Sequence, residues 1–263
     1  MDRLIQQLSQ FARLAGERIM PFYRKALPVK SKEDRSPLTE ADMASHHYLM
    51  EALKDMLPNT PVISEESQNH TVLAGVSQFW LVDPLDGTKE FLKGTDEFTV
   101  NIALIRNSYP VLGVVHAPAL GLTYHGASDD GAWRQIADHP SMRIKTRSAN
   151  PANLSIVASK DHAGPLVKGL LEMFPNASLR SMGSSLKFCL IAEGSADLYL
   201  RDLPTMEWDT AAAQCVVESA GGKVFSLDGE RLCYGKAGLR NPAIMTVGDS
   251  TLPLPMAKLC AAS

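Results

Sequence analysis

An apolar segment that ends in two aspartates is the feature that most limits how this chain can fold. Residues 79–82 (Phe-Trp-Leu-Val) favour a buried strand, and Asp83, Pro84, Asp86 and Gly87 follow almost directly. Pro84 prevents a regular continuation of the strand or of a helix, and Gly87 permits a tight turn. Both carboxylates are therefore predicted to converge at the carboxyl end of one strand.

A helix that begins at Thr88 would complete this turn. Its first free amides and the positive end of its dipole would then face the space in front of Asp83 and Asp86. Proteins hold anions in this way without basic side chains. A metal ion and a phosphate group could thus meet at one turn.

Further carboxylates occur at the ends of other predicted elements. Glu65 and Glu66 follow a short apolar run at 61–63, and Asp209 lies near the start of a predicted helix. Any one of these acids alone is best interpreted as a solvated turn or capping residue. As a converging set they are tolerated mainly if a hard divalent cation neutralises them. Oxygen-only ligands favour Mg²⁺ or Mn²⁺ over zinc.

Two other motifs can be excluded. Haloacid-dehalogenase-type phosphatases carry two aspartates that are two residues apart near the N-terminus, and the first is a nucleophile. Here Asp83 and Asp86 are three residues apart and lie in mid-chain. The segment also lacks the alternating acids and the final glutamate of an EF-hand loop.

The composition limits the partners and the compartment. With 26 Lys and Arg against 29 Asp and Glu, the chain lacks the cationic excess that non-specific binding to nucleic acid requires. Cys189, Cys215, Cys233 and Cys260 have no zinc-like spacing, which predicts reduced and mostly packed thiols. No apolar run approaches a signal peptide or a membrane span in length. We therefore expect a cytoplasmic protein, and the sequence leaves peripheral membrane contact open.

The apolar periodicity predicts an α/β chain in two parts. Helices are predicted at about 4–21, after Thr39 up to Leu57, and at 165–174, 184–192 and 208–220; strands are predicted at 61–63, 79–82, 98–106, 111–117, 155–158 and 197–200 and around Tyr124, Trp133, Val224 and Ile244. A polar stretch at 138–153 resembles a junction. We place a boundary near residue 150, between an N-terminal α+β subdomain (1–150) with most metal ligands and a C-terminal α/β subdomain (151–263) with Asp209 and the nucleotide contacts.

In combination, the motifs resemble the inositol monophosphatase superfamily. Its marks are an acid pair after a strand, Asp-Pro-x-Asp-Gly-Thr and a late Trp-Asp-x-x-Ala, and all three occur here in that order. The resemblance spans essentially the whole chain. It implies a layered α+β fold, the αβαβα sandwich of the sugar phosphatases, with a mostly antiparallel N-terminal sheet and a mixed C-terminal sheet.

Two segments are similar to the bisphosphate nucleotidases of this superfamily. They are residues 81–91, which continue with Lys-Glu-Phe after Gly-Thr, and residues 183–189 (Gly-Ser-Ser-Leu-Lys-Phe-Cys). Inositol phosphatases typically have Thr-Asn-Phe after Gly-Thr, and they lack the Ser-Ser-Leu-Lys segment. The resemblance implies hydrolysis of 3'-phosphoadenosine 5'-phosphate to AMP with two or three Mg²⁺ ions, Mn²⁺ being possible. It also implies inhibition by Li⁺ and a recycling role in sulfur assimilation.

The resemblance also assigns roles to individual residues. The implied metal ligands are Glu65, Asp83, Asp86, Asp209 and the Leu85 carbonyl; Thr88 and Asp42 would orient and deprotonate the attacking water; Glu66 and Thr39 would support the ligands; and the substrate would contact Gly87, Thr88, His162, Ser184, Lys187, Arg201 and Asp209. The implied chemistry is in-line attack on phosphorus by a metal-activated water, without a phosphoenzyme. His162 could equally be a surface or capping histidine, and Lys187 and Arg201 could be solvated charges.

Two other functions stay open at this point. An inositol or sugar monophosphatase could use the same metal site. A catalytically silent metabolite-binding module could keep the fold, although the chain retains every expected acid together with Thr88 and Asp42. The sequence is compatible with a monomer or a homodimer.

Overall fold

The helices lie close to their predicted positions. The computed structural model describes residues 2–24, 30–31, 37–38, 40–68, 70, 75–158 and 164–254. The α-helices in these ranges are α1 (Asp2–Ile19), α2 (Glu40–Met56), α3 (Thr88–Lys93), α4 (Pro165–Met173), α5 (Leu186–Ala192) and α6 (Ala211–Ser219). Short 3-10 turns span Met20–Phe22, Pro118–Leu120, Glu207–Asp209 and Ala237–Leu239. The predicted helix at 208–220 is thus a 3-10 turn followed by α6.

The strands fall into two large sheets and two small pairs. In chain order they are β1 (Lys30–Ser31), β2 (Pro37–Leu38), β3 (Val62–Ser64), β4 (Gln78–Asp86), β5 (Thr99–Arg106), β6 (Tyr109–Ala117), β7 (Leu122–Ala127), β8 (Gly131–Ile136), β9 (Met142–Ile144), β10 (Ser155–Ala158), β11 (Ser178–Ser181), β12 (Leu198–Arg201), β13 (Thr205–Met206), β14 (Lys223–Ser226), β15 (Arg240–Asn241) and β16 (Ile244–Val247). Strand β1 pairs with β2, and β13 pairs with β15.

The first large sheet contains β3 to β9 in sequence order within the described residues. Neighbouring strands are antiparallel except β3 and β4, which are parallel. Strand β4 extends beyond the predicted 79–82, and its register with β5 shifts between Asp83 and Asp86. Pro84 accounts for this irregularity because it cannot donate a hydrogen bond to the ladder.

The second large sheet has the order β11-β10-β12-β16-β14 in the described part of the chain. Strand β10 runs parallel to β11 and β12, whereas β16 is antiparallel to β12 and β14. This mixed sheet and the mostly antiparallel first sheet confirm the predicted sheet types. The sequence prediction missed β11 because its four residues are all exposed, and it missed β9 inside the polar stretch.

The helices and sheets alternate as the predicted αβαβα sandwich. On β5, Val100, Ile102 and Leu104 pack with α1 and α2, while Ala103 and Ile105 pack with α5 and α6. A strand that is covered on both faces reads as a continuous apolar run, as this one does. The second sheet packs on α5 and α6 with one face and on α4 with the other.

Helices α5 and α6 share one core with both sheets. This core includes Leu81 of β4, Tyr199 of β12 and Val216 of α6. The division into subdomains 1–150 and 151–263 stays a prediction. In the described residues, Cys189 and Cys215 are buried free thiols and Cys233 is partly buried. No helix in the described ranges is long and apolar enough to cross a membrane.

Helix α6 lies unusually close to β6 at Gly113. A Cβ atom at this position would overlap the carbonyl oxygen of Ala212 and lie 2.7 Å from the Cβ of Cys215. Helix α6 begins two residues after Asp209, so this contact lies close in sequence to that acid. Only glycine permits this spacing.

We expect Gly113→Ala to lower the free energy of unfolding by about 3 kcal/mol, because α6 must move away from the sheet. Urea unfolding measures this. The matched control is Gly169→Ala in α4, where a Cβ would meet no atom within 4 Å and where alanine favours the helix by about 1 kcal/mol. Equal effects of the two substitutions would contradict the close packing of α6.

Candidate functional site

Three carboxylates from separate elements converge at one point. Glu65 follows β3, Asp83 lies in β4, and Asp209 ends the 3-10 turn Glu207–Asp209. One ligand oxygen from each lies within 4.8 Å of the other two. The parallel pairing of β3 and β4 explains the first contact, since the Glu65 amide donates to the Val82 carbonyl at 3.1 Å.

Asp83 is the most buried of the three acids. It is 1 % exposed, and one of its oxygens accepts a hydrogen bond from the Leu85 amide at 3.0 Å. Burial raises the pKa of Asp83 well above its ordinary value, and the negative charge of Glu65 adds to the rise. Desolvation, together with Asp86 and Glu65, likewise raises the pKa of Asp209. The ionised cluster is therefore unfavourable without a cation.

Asp86 lies beside this cluster and connects it to the second half of the chain. Its Oδ2 accepts hydrogen bonds from the Ser185 amide at 2.6 Å, the Thr99 hydroxyl at 3.2 Å and the Asn101 amide group at 3.2 Å. The Ser185 hydroxyl in turn donates to the Asp209 carbonyl at 2.8 Å. Asp86 thus has one oxygen committed to protein donors.

Sequence reasoning did not identify Asn101 and Ser185 as parts of the site. Asn101 donates to the Ser185 hydroxyl at 3.0 Å as well as to Asp86. Both residues are almost fully buried. The available signal was a polar residue inside the apolar strand 99–106, because a buried polar side chain requires a specific partner.

The turn after β4 is built as predicted. Helix α3 begins at Thr88, and Gly87 before it has a φ of +89°, a conformation that only glycine adopts without strain. The Thr88 hydroxyl donates to the Leu85 carbonyl at 3.3 Å. The two predicted contributors Leu85 and Thr88 therefore contact each other directly.

Helix α2 supports the acid cluster from the outer layer. Asp42 lies in its first turn, is 2 % exposed and contributes to the raised pKa of Asp83. One turn later, Ser45 donates to the Pro84 carbonyl at 2.9 Å. Glu66 is partly buried beside Glu65. Of the predicted residues, Thr39 and His162 lie outside the described residues.

A cavity of about 180 Å³ adjoins the acids. Its lining includes five of the predicted substrate contacts, namely Gly87, Ser184, Lys187, Arg201 and Asp209. Thr88 is absent from the described lining. The cavity lies between the first βα turn of the site and the segment that leads into α5, so residues from both halves of the chain enclose it.

Three cationic residues line this cavity, the exposed Lys89 and the less exposed Lys187 and Arg201. The Lys187 ammonium group is 5.6 Å from the Tyr199 ring centroid and donates to the Ser184 carbonyl at 2.6 Å. Burial lowers the pKa of Lys187 to about 8. The Nε of Arg201 is buried and has no hydrogen-bond partner in the described part of the chain. A buried ammonium group and a buried guanidinium nitrogen without a partner favour a bound anion.

The acid cluster fits a hard divalent cation. Glu65, Asp83 and Asp209 supply carboxylate oxygens only, which is the donor set that Mg²⁺, Mn²⁺ and Ca²⁺ prefer. Their mutual repulsion is relieved when such an ion binds. The acid cluster, which could hold a cation, and the cavity lined by Lys187 and Arg201 therefore share Asp209.

The family model for the inositol monophosphatase family matches residues 1–252. The 3'(2'),5'-bisphosphate nucleotidase CysQ of Escherichia coli K12 is 44% identical over 88% of this chain and 94% of its own length. The corresponding protein of Haemophilus influenzae is 36% identical over 95% of this chain and 94% of its own length.

Solved structures are similar over nearly the full length. The crystal structure of CysQ from Bacteroides thetaiotaomicron has a TM-score of 0.80 and 37% identity, covering 92% of this chain and 97% of its own. An IMPase from Thermotoga maritima has a TM-score of 0.80 at 23% identity, covering 100% of this chain and 98% of its own. The second likeness concerns the fold alone.

In the metal-free protein we expect Asp83→Asn to raise the free energy of unfolding by about 1 kcal/mol at pH 7, because it removes one of several repelling charges. The pKa of Asp83 is raised in the folded protein. The unaltered protein therefore loses stability as the pH rises above the pKa that Asp83 has in the unfolded chain. The gain in the free energy of unfolding of Asp83→Asn should vanish at about pH 4 and grow toward pH 7. Urea unfolding in EDTA measures it.

Excess Mg²⁺ should reverse this order, because it stabilises the unaltered protein and not the variant. The control is Asp228→Asn, which replaces an exposed acid. It should leave urea unfolding unchanged both in EDTA and in excess Mg²⁺. An Asp83→Asn protein that is less stable than the unaltered protein in EDTA would contradict the repulsion.

Proposed function

We propose that this chain, which belongs to the inositol monophosphatase family, is a 3'(2'),5'-bisphosphate nucleotidase. It is a phosphatase that hydrolyses 3'-phosphoadenosine 5'-phosphate to AMP and phosphate. Relatives that carry this activity in their names match it, one of them at 44% identity over 88% of the chain and another at 36% over 95%. The physical observation that carries the proposal is the cavity in which Lys187 and Arg201 lie next to the acid cluster.

A second phosphate on the substrate explains these two cations. The phosphate that is removed would lie at the acid cluster, where a bound metal ion neutralises both it and the carboxylates. Lys187 and Arg201 line the same cavity together with Ser184. A singly phosphorylated polyol would leave this positive charge unpaired, whereas a nucleotide 5'-phosphate would pair with it.

The metal ion we propose is Mg²⁺, in two or three positions, with Mn²⁺ as a substitute. Glu65, Asp83 and Asp209 would hold it, together with Asp86 and the Leu85 carbonyl. When bound, Mg²⁺ acts as a Lewis acid for the phosphoryl group and lowers the pKa of water. The family is metal-dependent, and the acid cluster meets its chemical requirement.

The protein residues orient the reactants and move one proton. Asp42 and Thr88 come from helices α2 and α3 on either side of the acid cluster. We assign to the Thr88 hydroxyl the orientation of the attacking water, and to Asp42 the acceptance of its proton. Asp42 is buried and near enough to Asp83 for its charge to contribute to the raised pKa of Asp83. To the partly buried Glu66 we assign a supporting role for Glu65, its neighbour in the chain.

The first experiment compares phosphate release from 3'-phosphoadenosine 5'-phosphate and from inositol 1-phosphate in Mg²⁺, with and without Li⁺. We expect the nucleotide to be hydrolysed at least about 100-fold faster in kcat/KM, with inhibition by Li⁺. Asp83→Asn should abolish release of phosphate. Faster hydrolysis of inositol 1-phosphate would contradict the proposal and indicate an inositol or sugar monophosphatase. No turnover of either compound would favour a silent binding module.

The role of the second phosphate is tested by Arg201→Met. We expect KM for 3'-phosphoadenosine 5'-phosphate to rise about 10-fold or more, because a charge-assisted hydrogen bond is lost. KM for adenosine 3'-phosphate, which lacks the second phosphate, should change little. The control is Arg3→Met on the exposed face of α1, which should alter neither value. Equal increases for both substrates would show that Arg201 does not recognise the second phosphate.

A further inference from the structure

A buried glutamate lies two residues before Asp209 and has no place in the function proposed above. The Glu207 side chain is 0 % exposed. One carboxylate oxygen accepts the Gly235 amide at 2.7 Å, and the other accepts the Lys236 amide at 2.9 Å. The Lys236 ammonium group completes the set at 2.7 Å from the second oxygen. Glu207 therefore binds one loop with three donors.

These contacts offset the cost of burying the charge. A buried carboxylate without partners is strongly unfavourable, and removing one partner of a buried pair is strongly destabilising. Two of the three donors of Glu207 are backbone amides, so the carboxylate fixes the position of the main chain at Gly235 and Lys236. The segment around Asp209 is thereby attached to a loop more than twenty residues further along the chain.

The same loop holds the Asp209 segment at other points. The Asn241 side chain donates to the Met206 carbonyl at 2.9 Å and to the Thr210 hydroxyl at 2.8 Å. The Thr210 hydroxyl lies 3.1 Å from the Tyr234 hydroxyl. Strand β15 pairs with β13, the strand that directly precedes the 3-10 turn. Residues 234–241 therefore form a backing for the turn.

The orientation of the Asp209 carboxylate depends on this turn. Its Oδ2 accepts the Met206 amide at 2.8 Å, and its carbonyl accepts the Ser185 hydroxyl at 2.8 Å. Both hydrogen bonds can form only while residues 206–209 keep their position. Asp209 lines the substrate cavity and belongs to the acid cluster, whereas Glu207 is in neither described set.

We propose that Glu207 is a positioning residue for Asp209. By binding the main chain at Gly235 and Lys236 it fixes the turn that presents the Asp209 carboxylate to Glu65 and Asp83. The proposal rests on the proposed function in one respect, the assignment of Asp209 as a metal ligand. Loss of the Glu207 contacts lets the turn move, so the site binds a divalent cation less tightly while the other acids are unchanged.

The principal test is Glu207→Gln, which keeps the shape of the side chain but removes its charge. We expect the dissociation constant for Mn²⁺, measured by calorimetry on the metal-free protein, to rise about 10-fold, as is typical when a residue that orients a metal ligand is changed. The increase in melting temperature on adding Mg²⁺ should shrink in parallel. At saturating Mg²⁺, KM for 3'-phosphoadenosine 5'-phosphate should stay within about 2-fold, because Glu207 does not contact substrate.

Asp197→Asn provides a matched control for a general loss of stability. Asp197 is 1 % exposed and also binds a basic side chain and a backbone amide, namely Arg147 at 2.7 and 2.8 Å and the Ser155 amide at 2.7 Å. It holds the start of β10 and has no described contact with the acid cluster. This variant should lower the melting temperature and leave the Mn²⁺ affinity unchanged.

Lys236→Met is a second variant in case Glu207→Gln fails to fold. The Lys236 side chain is 28 % exposed, and the substitution keeps both backbone amides. We expect a rise in the Mn²⁺ dissociation constant of about 3-fold, in the same direction as for Glu207→Gln.

Unchanged Mn²⁺ affinity in Glu207→Gln, or in Lys236→Met where the first variant does not fold, would overturn the proposal, as would an equal loss in Asp197→Asn. The calorimetry involves no substrate. If the unaltered protein binds Mn²⁺ tightly but does not hydrolyse the nucleotide, the proposed function fails and the role of Glu207 stands. Absence of Mn²⁺ binding by the unaltered protein would overturn both.

Discussion

Repulsion among carboxylates that are buried at one point is the constraint on which the rest of this structure depends. Glu65, Asp83 and Asp209 come within 4.8 Å of one another, and the folded protein raises the pKa of both Asp83 and Asp209. Such a cluster stays assembled only if the scaffold holds each acid against the repulsion or a cation relieves it. The site needs both, because a cation site that collapses or spreads when the ion leaves would rebind it slowly and weakly.

The scaffold meets this demand with hydrogen bonds between the first sheet, the segment that leads into α5 and the turn at Asp209. The Ser185 amide binds Asp86 and the Ser185 hydroxyl binds the Asp209 carbonyl, while Asn101 reaches Ser185 from β5. Behind Asp209, the contacts of Glu207 hold the turn to a separate loop. Helix α6 leaves this turn and packs against β6 at Gly113. The acids of the two halves are thus joined by hydrogen bonds of the protein itself.

Much of this architecture could be predicted because it is encoded locally. The apolar run before Asp83, the proline between the two aspartates and the glycine at a positive φ dictate the turn and the start of α3 within twelve residues. The two strands of the large sheets that the prediction missed, β9 and β11, are different in kind. Strand β11 is exposed at all four positions, and β9 has three residues without buried side chains. Such short edge strands form because a neighbouring strand offers free backbone groups, which is information that their own sequence does not contain.

The sequence by itself determined which side chains could serve a metal and a phosphate group, because carboxylates at strand ends and a Gly-Thr turn carry that chemistry wherever they occur. The tertiary structure alone decided which polar residues hold these ligands in place. Asp86 and Ser185 are 99 residues apart, and Asn101 and Ser185 are 84 apart. A glutamate beside Trp208 gives no indication in the sequence that it binds the amides of Gly235 and Lys236. Contacts of this range depend on how two sheets pack around α5 and α6, and no local pattern specifies that packing.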